Sequence, residues 1–323
     1  MTTKICGFLD IFRNTFKNRK HSVINFRSIF PKNNDSKYKI IPIVSIVYDE
    51  SNIQEKIGEG GTAVVYTYDT GKFICACKKI KTNVSNILNE IYIMKTYCKN
   101  NEKHEHLPQY YTSIINTSTS CNFTQYDYIF MEYCSGIELF ELLQFNLDYK
   151  LITYIIYQLL TAVAHLQKYN IIHGDIKLEN IIIDSNNTIK LIDFGLAKQI
   201  NEGNALRLNK CGGTIGYVSP EMLLSNYITL KTDIWSVGLV YYMLLNNSHL
   251  FNVITLNKYK EDLNILKNVG VMPSLKLNNT TIPSDQYEML YKFLDKTICF
   301  DKKRHSVKQC LKNKIFKCNE VLV

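Results

Sequence analysis

The apolar and polar positions predict a strand-rich first part followed by a helix-rich second part. Short apolar runs at 73–78 and 128–131 are typical of β-strands, and the apolar residues at 87, 91 and 94 have the spacing of one helix face. Longer apolar segments at 151–166 and 234–245 predict two buried helices, and the first is too short to span a lipid bilayer. A chain of 323 residues can hold one large domain or two lobes.

A short hairpin is predicted in the middle of the chain, between two polar loops. Its strands are predicted at 181–183 and 189–192, with a polar turn at 184–187. The segment 173–180 (HGDIKLEN) comes before the hairpin and the segment 193–195 (DFG) comes directly after it. The hairpin therefore brings two loops that carry carboxylate and amide groups close together.

These two loops have the groups that phosphoryl transfer needs. Oxygen ligands from two loops can hold Mg²⁺ and leave positions for phosphate and water, and Asn180 and Asp193 suit that role. Asp175 would accept the proton of a substrate hydroxyl or orient that hydroxyl, and Lys177 would neutralise the transferred phosphate. The whole pattern, H-x-D-x-K-x-x-N followed by D-F-G, resembles the catalytic and metal-binding loops of eukaryotic protein kinases of the serine/threonine type.

This resemblance implies an α+β fold with two lobes, a small β-rich N-lobe and a larger helical C-lobe. It places the kinase domain at 46–316, with the N-lobe at 46–131, the hinge at 132–136 and the C-lobe at 137–316. Residues 1–45 are then an extension and residues 317–323 a tail. The implied cofactors are ATP and Mg²⁺, with Mn²⁺ as an alternative metal, and the implied partner is a protein substrate.

Three further segments resemble the nucleotide-binding parts of a kinase. The segment 58–66 resembles the glycine-rich loop, although Ala63 replaces its third glycine. The resemblance makes Lys78 the ligand of the α- and β-phosphates and Glu90 its partner on a shortened helix; strand alternation turns Lys79 to the opposite face. The nucleotide contacts that the resemblance assigns are Gly58, Glu59, Gly60, Gly61, Val65, Ala76, Lys78, Met131, Glu132, Cys134, Glu138 and Ile182.

The segment 213–221 resembles the peptide-docking segment of the family. Thr214 would bond to Asp175 and Lys177, which is a serine/threonine-kinase trait, and Glu221 would pair with Arg304. In the same resemblance, Asp233 would hold the backbone of the catalytic loop. The predicted substrate-docking residues are Thr214, Glu221 and Glu179, the last with a preference for basic residues before the phosphoacceptor.

Two alternatives to an active protein kinase are open at this point. A pseudokinase would bind nucleotide or partners without phosphate transfer, but such proteins usually lack at least one of Lys78, Asp175, Asn180 and Asp193, and all four are present. A small-molecule kinase of the same fold would not need the docking segment that begins at Thr214.

The usual phosphorylation switch is missing from the sequence. Many kinases carry an Arg beside the catalytic Asp, and this Arg binds a phosphate on the activation loop. Here Gly174 occupies that position, and residues 196–213 contain no Ser, Thr or Tyr. The sequence therefore predicts a non-RD kinase whose activity does not need phosphorylation of this loop.

The basic charge of the chain is concentrated in the N-terminal extension. Residues 1–40 hold nine basic and two acidic side chains, so they contribute +7 of the total charge of +9. Phe8, Phe12 and Phe16 recur at helical spacing, so a short amphipathic helix is one interpretation. The extension could bind a membrane surface or act as a targeting segment, dock to or inhibit a protein, or be a disordered tail; specific nucleic-acid binding is not expected.

The cysteines and the N-terminus predict where the protein acts. Ten cysteines show no paired metal-ligand spacing, and no secretory signal is apparent, which is typical of reduced thiols inside the cell. We expect an intracellular, cytoplasmic protein, with peripheral membrane association as an alternative. Thr2 excludes N-myristoylation in its usual form.

Overall fold

The computed structural model describes residues 48–61, 63–81, 87–99, 103–115, 126–201, 203, 205–251, 253–269 and 281–317. The basic extension at 1–45 and all but the first residue of the tail lie outside the described residues. The predictions for these two segments therefore stay predictions. None of the helices in the described part is long and apolar enough to cross a membrane.

A five-stranded antiparallel sheet forms the first part of the chain. Its strand order is β1-β2-β3-β5-β4. The strands are β1 (Ile53–Glu59), β2 (Ala63–Asp69), β3 (Ile74–Lys81), β4 (Tyr110–Ile114) and β5 (Tyr126–Glu132). Alternation along β3 gives the sheet two different faces. Cys75 and Cys77 join the aromatic cluster of Tyr68 and Phe130 on one face, whereas Lys78 extends from the other face towards the helix that follows.

The helix α1 (Ile87–Tyr97) packs against the second face of the sheet. Its buried residues include Ile87, Ile91 and Met94, so the apolar stripe predicted from the sequence is confirmed. Glu90 is also buried, with 4% of its surface exposed. A carboxylate at such a position needs a positive partner in the sheet.

The second part of the chain is mainly helical. Its helices are α2 (Tyr149–Lys168), α3 (Pro220–Ser225), α4 (Thr232–Asn246), α5 (Leu256–Val269), α6 (Tyr287–Thr297) and α7 (Val307–Leu311). Every residue of α4 is buried, and Asn247 ends this helix in the left-handed conformation at φ 52°. The helix α2 begins at Asp148, whose side chain accepts a bond from the Lys150 amide. Both predicted buried helices are thus confirmed.

Short strand pairs connect the loops of the helical part. They are β6 (Ile137–Glu138), β7 (Ile171–Ile172), β8 (Ile181–Ile183), β9 (Ile189–Leu191), β10 (Lys198–Gln199), β11 (Leu206–Arg207) and β12 (Tyr227–Ile228). The strands β8 and β9 form the predicted hairpin, β10 pairs with β7, and β11 pairs with β12. The sheet ends at Glu132 and β6 begins at Ile137, so the connection between the two lobes falls at 133–136. The predicted α+β, two-lobed architecture is confirmed.

Candidate active site

A buried lysine joins the sheet, the helix α1 and the loop after β9. Lys78 Nζ lies 2.6 Å from Glu90 Oε1 and 2.8 Å from Asp193 Oδ1. Burial lowers the pKa of Lys78, but the two carboxylates raise it more, so the net pKa is above the ordinary value and the side chain stays charged. Burial likewise raises the pKa of Asp193, and Lys78 more than offsets this, which brings that pKa down to about 2.

The neighbouring lysine has a different environment. Lys79 Nζ donates to Glu50 Oε1 at 3.0 Å and lies 4.3 Å from the centre of the Tyr126 ring, on the opposite face of the sheet. The two lysines therefore lie on opposite faces, and the predicted contact of Lys78 with Glu90 is present; the choice of Lys78 as the phosphate ligand stays a prediction.

The two predicted metal ligands are brought together by the hairpin. The Ile192 amide donates to the Asn180 carbonyl at 2.9 Å, which fixes the residue before Asp193 against the catalytic loop. Asn180 Nδ2 donates to the Asp175 carbonyl at 2.8 Å, so the amide oxygen of Asn180 is the atom suited to a metal. One carboxylate and one amide oxygen fit Mg²⁺, which is commonly held by few protein ligands plus phosphate oxygens.

The polar side chains of Thr214 and Lys177 contact the candidate catalytic base Asp175. Thr214 Oγ1 donates to Asp175 Oδ1 at 2.8 Å, and Lys177 Nζ donates to Thr214 Oγ1 at 3.0 Å. Lys177 Nζ also lies 3.2 Å from Asp175 Oδ2. The predicted bonds of Thr214 to Asp175 and Lys177 are present, and they fix one carboxylate oxygen and place a positive charge beside the other.

The helix α4 holds the catalytic loop from below. Asp233, which is 1% exposed, accepts the His173 amide at 2.8 Å and the Gly174 amide at 2.9 Å. The His173 ring packs edge-on against Phe194 at 5.0 Å between ring centres, and its Nε2 lies 3.1 Å from the Ile192 carbonyl. The predicted contact of Asp233 with the catalytic-loop backbone is confirmed.

Strand pairing places the predicted nucleotide contacts around the cleft between the lobes. Val65 lies opposite Lys78 in β2 and β3, Ala76 lies opposite Met131 in β3 and β5, and Ile182 lies opposite Glu138. Their roles towards a nucleotide stay predictions, and so do those of Gly58 near the end of β1 and of Gly60 and Gly61 in the turn between β1 and β2. The Glu59 side chain forms an exposed ion pair with Lys56.

The hinge packs tightly on the catalytic hairpin. A Cβ added to Gly136, whose φ is 145°, would overlap the backbone carbonyl of Ile183, so no other residue fits at this place. The sequence did not indicate a second contact between the hinge and the hairpin. Glu132 lies 2.7 Å from Lys190 Nζ and accepts the Gln109 amide at 3.0 Å, so the predicted hinge residue connects β5 to β9 through its carboxylate.

The docking segment rests on a buried ion pair. Arg304 Nη1 and Nη2 donate to the two Glu221 oxygens at 2.7 and 2.9 Å, as predicted. Glu221 is 2% exposed and also accepts the Thr232 hydroxyl at 3.1 Å. The assignment of Glu221 to substrate docking therefore needs correction: its carboxylate supports the segment from below and cannot touch a substrate. Glu179, in contrast, is partly exposed and close enough to Lys177 and Asp175 to feel their charges, and burial raises its pKa.

Comparisons with known proteins agree with this geometry. The family model described as protein kinase domain matches residues 51–316. A probable serine/threonine-protein kinase PknB of Lactococcus lactis is 27% identical over 266 residues, 79% of this chain and 42% of that protein. The serine/threonine-protein kinase pakA of Dictyostelium discoideum is 34% identical over 194 residues, 57% of this chain and 15% of that protein.

An Aurora kinase of Eremothecium gossypii is 31% identical over 205 residues, 62% of this chain and 53% of that protein. The chain thus spans less than two thirds of the length of each of these relatives. The family model, however, covers most of the chain and includes every residue of the candidate site. The protein therefore belongs to the protein kinase family.

Proposed function

We propose that the protein is an active serine/threonine kinase that transfers the γ-phosphate of ATP to hydroxyl groups of a protein substrate. The observation that carries the proposal is the assembled site: Lys78 pairs with Glu90 and Asp193, and Asn180 bonds to Asp175. A nucleotide-binding pseudokinase is the alternative. A protein without transfer would not need these charged groups to be held together against the cost of burial.

The roles of the residues follow from their positions. Asp175 orients the substrate hydroxyl and accepts its proton, because one of its oxygens is already fixed by Thr214. Lys177 neutralises charge on the phosphate to be transferred, and Lys78 holds the α- and β-phosphates. Mg²⁺, or Mn²⁺ in its place, would be held by Asn180 and Asp193 and would neutralise charge on the phosphates.

Serine and threonine are the proposed acceptors. The bonds that join Thr214, Lys177 and Asp175 occur in the geometry that the resemblance to serine/threonine kinases implies. The relatives PknB and pakA carry the serine/threonine specificity in their names. Tyrosine phosphorylation is an outcome that phosphoamino-acid analysis of the product would detect.

Backbone pairing at both ends of the activation loop supports activity independent of loop phosphorylation. The strand β10 pairs with β7, directly before the catalytic loop, and β11 pairs with β12 after α3. The Leu208 amide adds a bond to the Asn226 carbonyl at 2.8 Å. Backbone bonds at both ends thus supply the order that a phosphate and an Arg supply elsewhere.

A basic substrate side chain suits the acidic rim of the site. Burial raises the pKa of Glu138, the nearby charges of Glu179 and Glu141 raise it further, and Lys177 offsets only part of this. Carboxylates that repel one another are stabilised by a positive charge placed between them. We therefore include a preference for Lys or Arg near the phosphoacceptor, which paired peptides with Arg or Ala at each position would measure.

The test is transfer of labelled phosphate from ATP to a generic protein and to the kinase itself. The protein is expressed in a bacterial host that lacks serine/threonine protein kinases, treated with phosphatase and compared with the variant Asp175→Asn. Asp295→Asn, an exposed carboxylate on α6, is the matched control and should retain activity. Equal signals from wild type and Asp175→Asn would refute the proposal that the protein is an active kinase. Activity that appears only after phosphorylation would refute the phosphate-independent state.

A further inference from the structure

Two polar residues of α1 contact the segment that follows Asp193. Asn89 Nδ2 donates to the Ala197 carbonyl at 2.8 Å, and the Tyr92 hydroxyl donates to Gln199 Oε1 at 2.7 Å. The two residues are three apart, so they project from the same side of the helix. Glu90, the partner of Lys78, lies between them in the sequence.

Gln199 continues this connection into the second lobe. Its Nε2 donates to the Tyr169 carbonyl at 2.8 Å, at the end of α2, while its Oε1 accepts the Tyr92 hydroxyl. The amide nitrogen of Gln199 therefore acts as a donor and its oxygen as an acceptor, with the oxygen directed towards α1. Gln199 also pairs with Ile171 in the strand that leads into the catalytic loop. The contacts thus run from α1 through β10 to the strand before Asp175.

The position of α1 decides whether Glu90 reaches Lys78. The helix has only three turns and begins in the described part at Ile87, so its isolated stability is small. The loop that it faces has no residue that can be phosphorylated before Thr214, and Gly174 cannot bind a phosphate through a side chain. Another contact must hold the helix against this loop if the site is active without phosphorylation.

We propose that Asn89 and Tyr92 are positioning residues: they hold α1, and with it Glu90, in the catalytic arrangement by bonding to Ala197 and Gln199, in place of a phosphate on the activation loop. The proposal rests on the proposed kinase function and names the regulation of the same site. Tyr92 is 54% exposed, so loss of its hydroxyl removes a hydrogen bond without opening a cavity in the core. Its effect should therefore fall on activity rather than on global stability.

The experiment compares Tyr92→Phe with Tyr157→Phe in the full chain. Tyr157 is 40% exposed on α2, away from the activation loop, and loses the same hydroxyl. Activity is measured as kcat/KM for ATP, stability as Tm, and the opening of α1 as hydrogen–deuterium exchange of residues 87–97. A single hydrogen bond changes the equilibrium between two positions of a helix about two- to tenfold. We expect a loss of kcat/KM of that size for Tyr92→Phe.

Exchange of 87–97 should rise in Tyr92→Phe, whereas Tm should match that of the control. The double variant Tyr92→Phe/Gln199→Ala should lose no more activity than Gln199→Ala alone, because both changes break the Tyr92–Gln199 contact and Gln199→Ala also breaks the bond to the Tyr169 carbonyl. Asn89→Ala should also lower kcat/KM and raise the exchange of residues 87–97. Rates and exchange equal to those of Tyr157→Phe would overturn the proposal.

The two proposals fail in different ways. If wild type and Asp175→Asn transfer phosphate equally, the kinase function fails, and hydrogen exchange alone then decides whether Tyr92 holds the helix. Faster exchange at 87–97 in Tyr92→Phe supports the contact, and unchanged exchange refutes it. If wild type is active and Tyr92→Phe is equally active, only the positioning role is lost.

Discussion

The Arg304–Glu221 pair is the place where one substitution should cost the most stability. The two side chains are 0% and 1% exposed, and both guanidinium–carboxylate bonds are short. Arg304 also donates to the carbonyls of Cys299 and Lys231, each at 2.9 Å. Arg304→Met keeps much of the side-chain volume but removes the charge and leaves Glu221 buried without its partner.

The expected loss is about 3–5 kcal/mol of unfolding free energy, the range for a buried pair that loses one member. Domains are stable by only about 5–15 kcal/mol, so the variant should be near the limit of folding. Lys258→Met is the matched control, since it removes a lysine from an exposed pair with Glu261 and should leave the unfolding free energy unchanged. Adding Glu221→Leu to Arg304→Met should recover much of the loss, because an apolar pair replaces an unpaired charge.

The pH dependence tests the electrostatic origin of this loss. Burial raises the pKa of Glu221, but Arg304 lowers it more, so the net pKa lies below the ordinary value. The wild-type pair therefore contributes stability above the unfolded pKa of Glu, about 4.3, and loses it as pH falls through the folded pKa. In Arg304→Met the opposing positive charge is removed, burial becomes the dominant influence and the pKa of Glu221 rises, so the variant should regain stability as pH falls.

The assay is urea unfolding at about pH 7.5 and about pH 5, followed through Trp235, the single tryptophan of the chain. The Trp235 ring lies 5.4 Å from the Arg304 guanidinium, so midpoints are compared rather than signal amplitudes. The difference between wild type and Arg304→Met should shrink at the lower pH. A loss no larger than that of Lys258→Met, or a loss independent of pH, would refute the reasoning.

Three other substitutions or treatments should have defined outcomes. Lys78→Met should reduce phosphate transfer at least about a hundredfold, measured with labelled ATP, because a preorganised charge at the phosphate is lost. Gly174→Ala should cost about 1–2 kcal/mol for its φ of +76° and more than Gly71→Ala, which has the same φ but open space, as urea unfolding will show. Cys75 and Cys77, whose pKa values burial raises to about 12, should react with iodoacetamide at neutral pH only after unfolding, as peptide mass spectrometry will show.

The sequence could predict those parts of the site that depend on short-range patterns. The hairpin β8–β9 was visible as two apolar strands around a polar turn, and it alone brings Asn180 to Asp193. The inward position of Glu90 followed from a helical stripe next to it, and strand alternation separated Lys78 from Lys79. In each case the local backbone geometry determines the direction of the side chain.

Contacts between polar groups far apart in sequence could not be predicted in this way. Tyr92 and Gln199 are 107 residues apart, and Glu132 and Lys190 are 58 apart. Neither pair lies in a repeated pattern, and an exposed tyrosine or glutamine has many possible partners in a sequence. The role of Glu221 was misjudged in part for a related reason. The motif places Glu221 in a docking segment, but only its bonds to Arg304 and Thr232 show that its carboxylate lies beneath that segment.

Gly174 links the catalytic loop to the proposed independence from loop phosphorylation. Its φ of +76° is a left-handed conformation that costs glycine little, and a Cβ there would lie 3.2 Å from the Leu196 carbonyl. An arginine at this position would carry that strain, and it would add a positive charge beside a loop that already contains Lys198 and Arg207. Such a charge is useful only with a phosphate nearby, and residues 196–213 offer no site for one. Once the strand pairs and α1 hold the loop, glycine is the residue that keeps the catalytic backbone in place with the least strain.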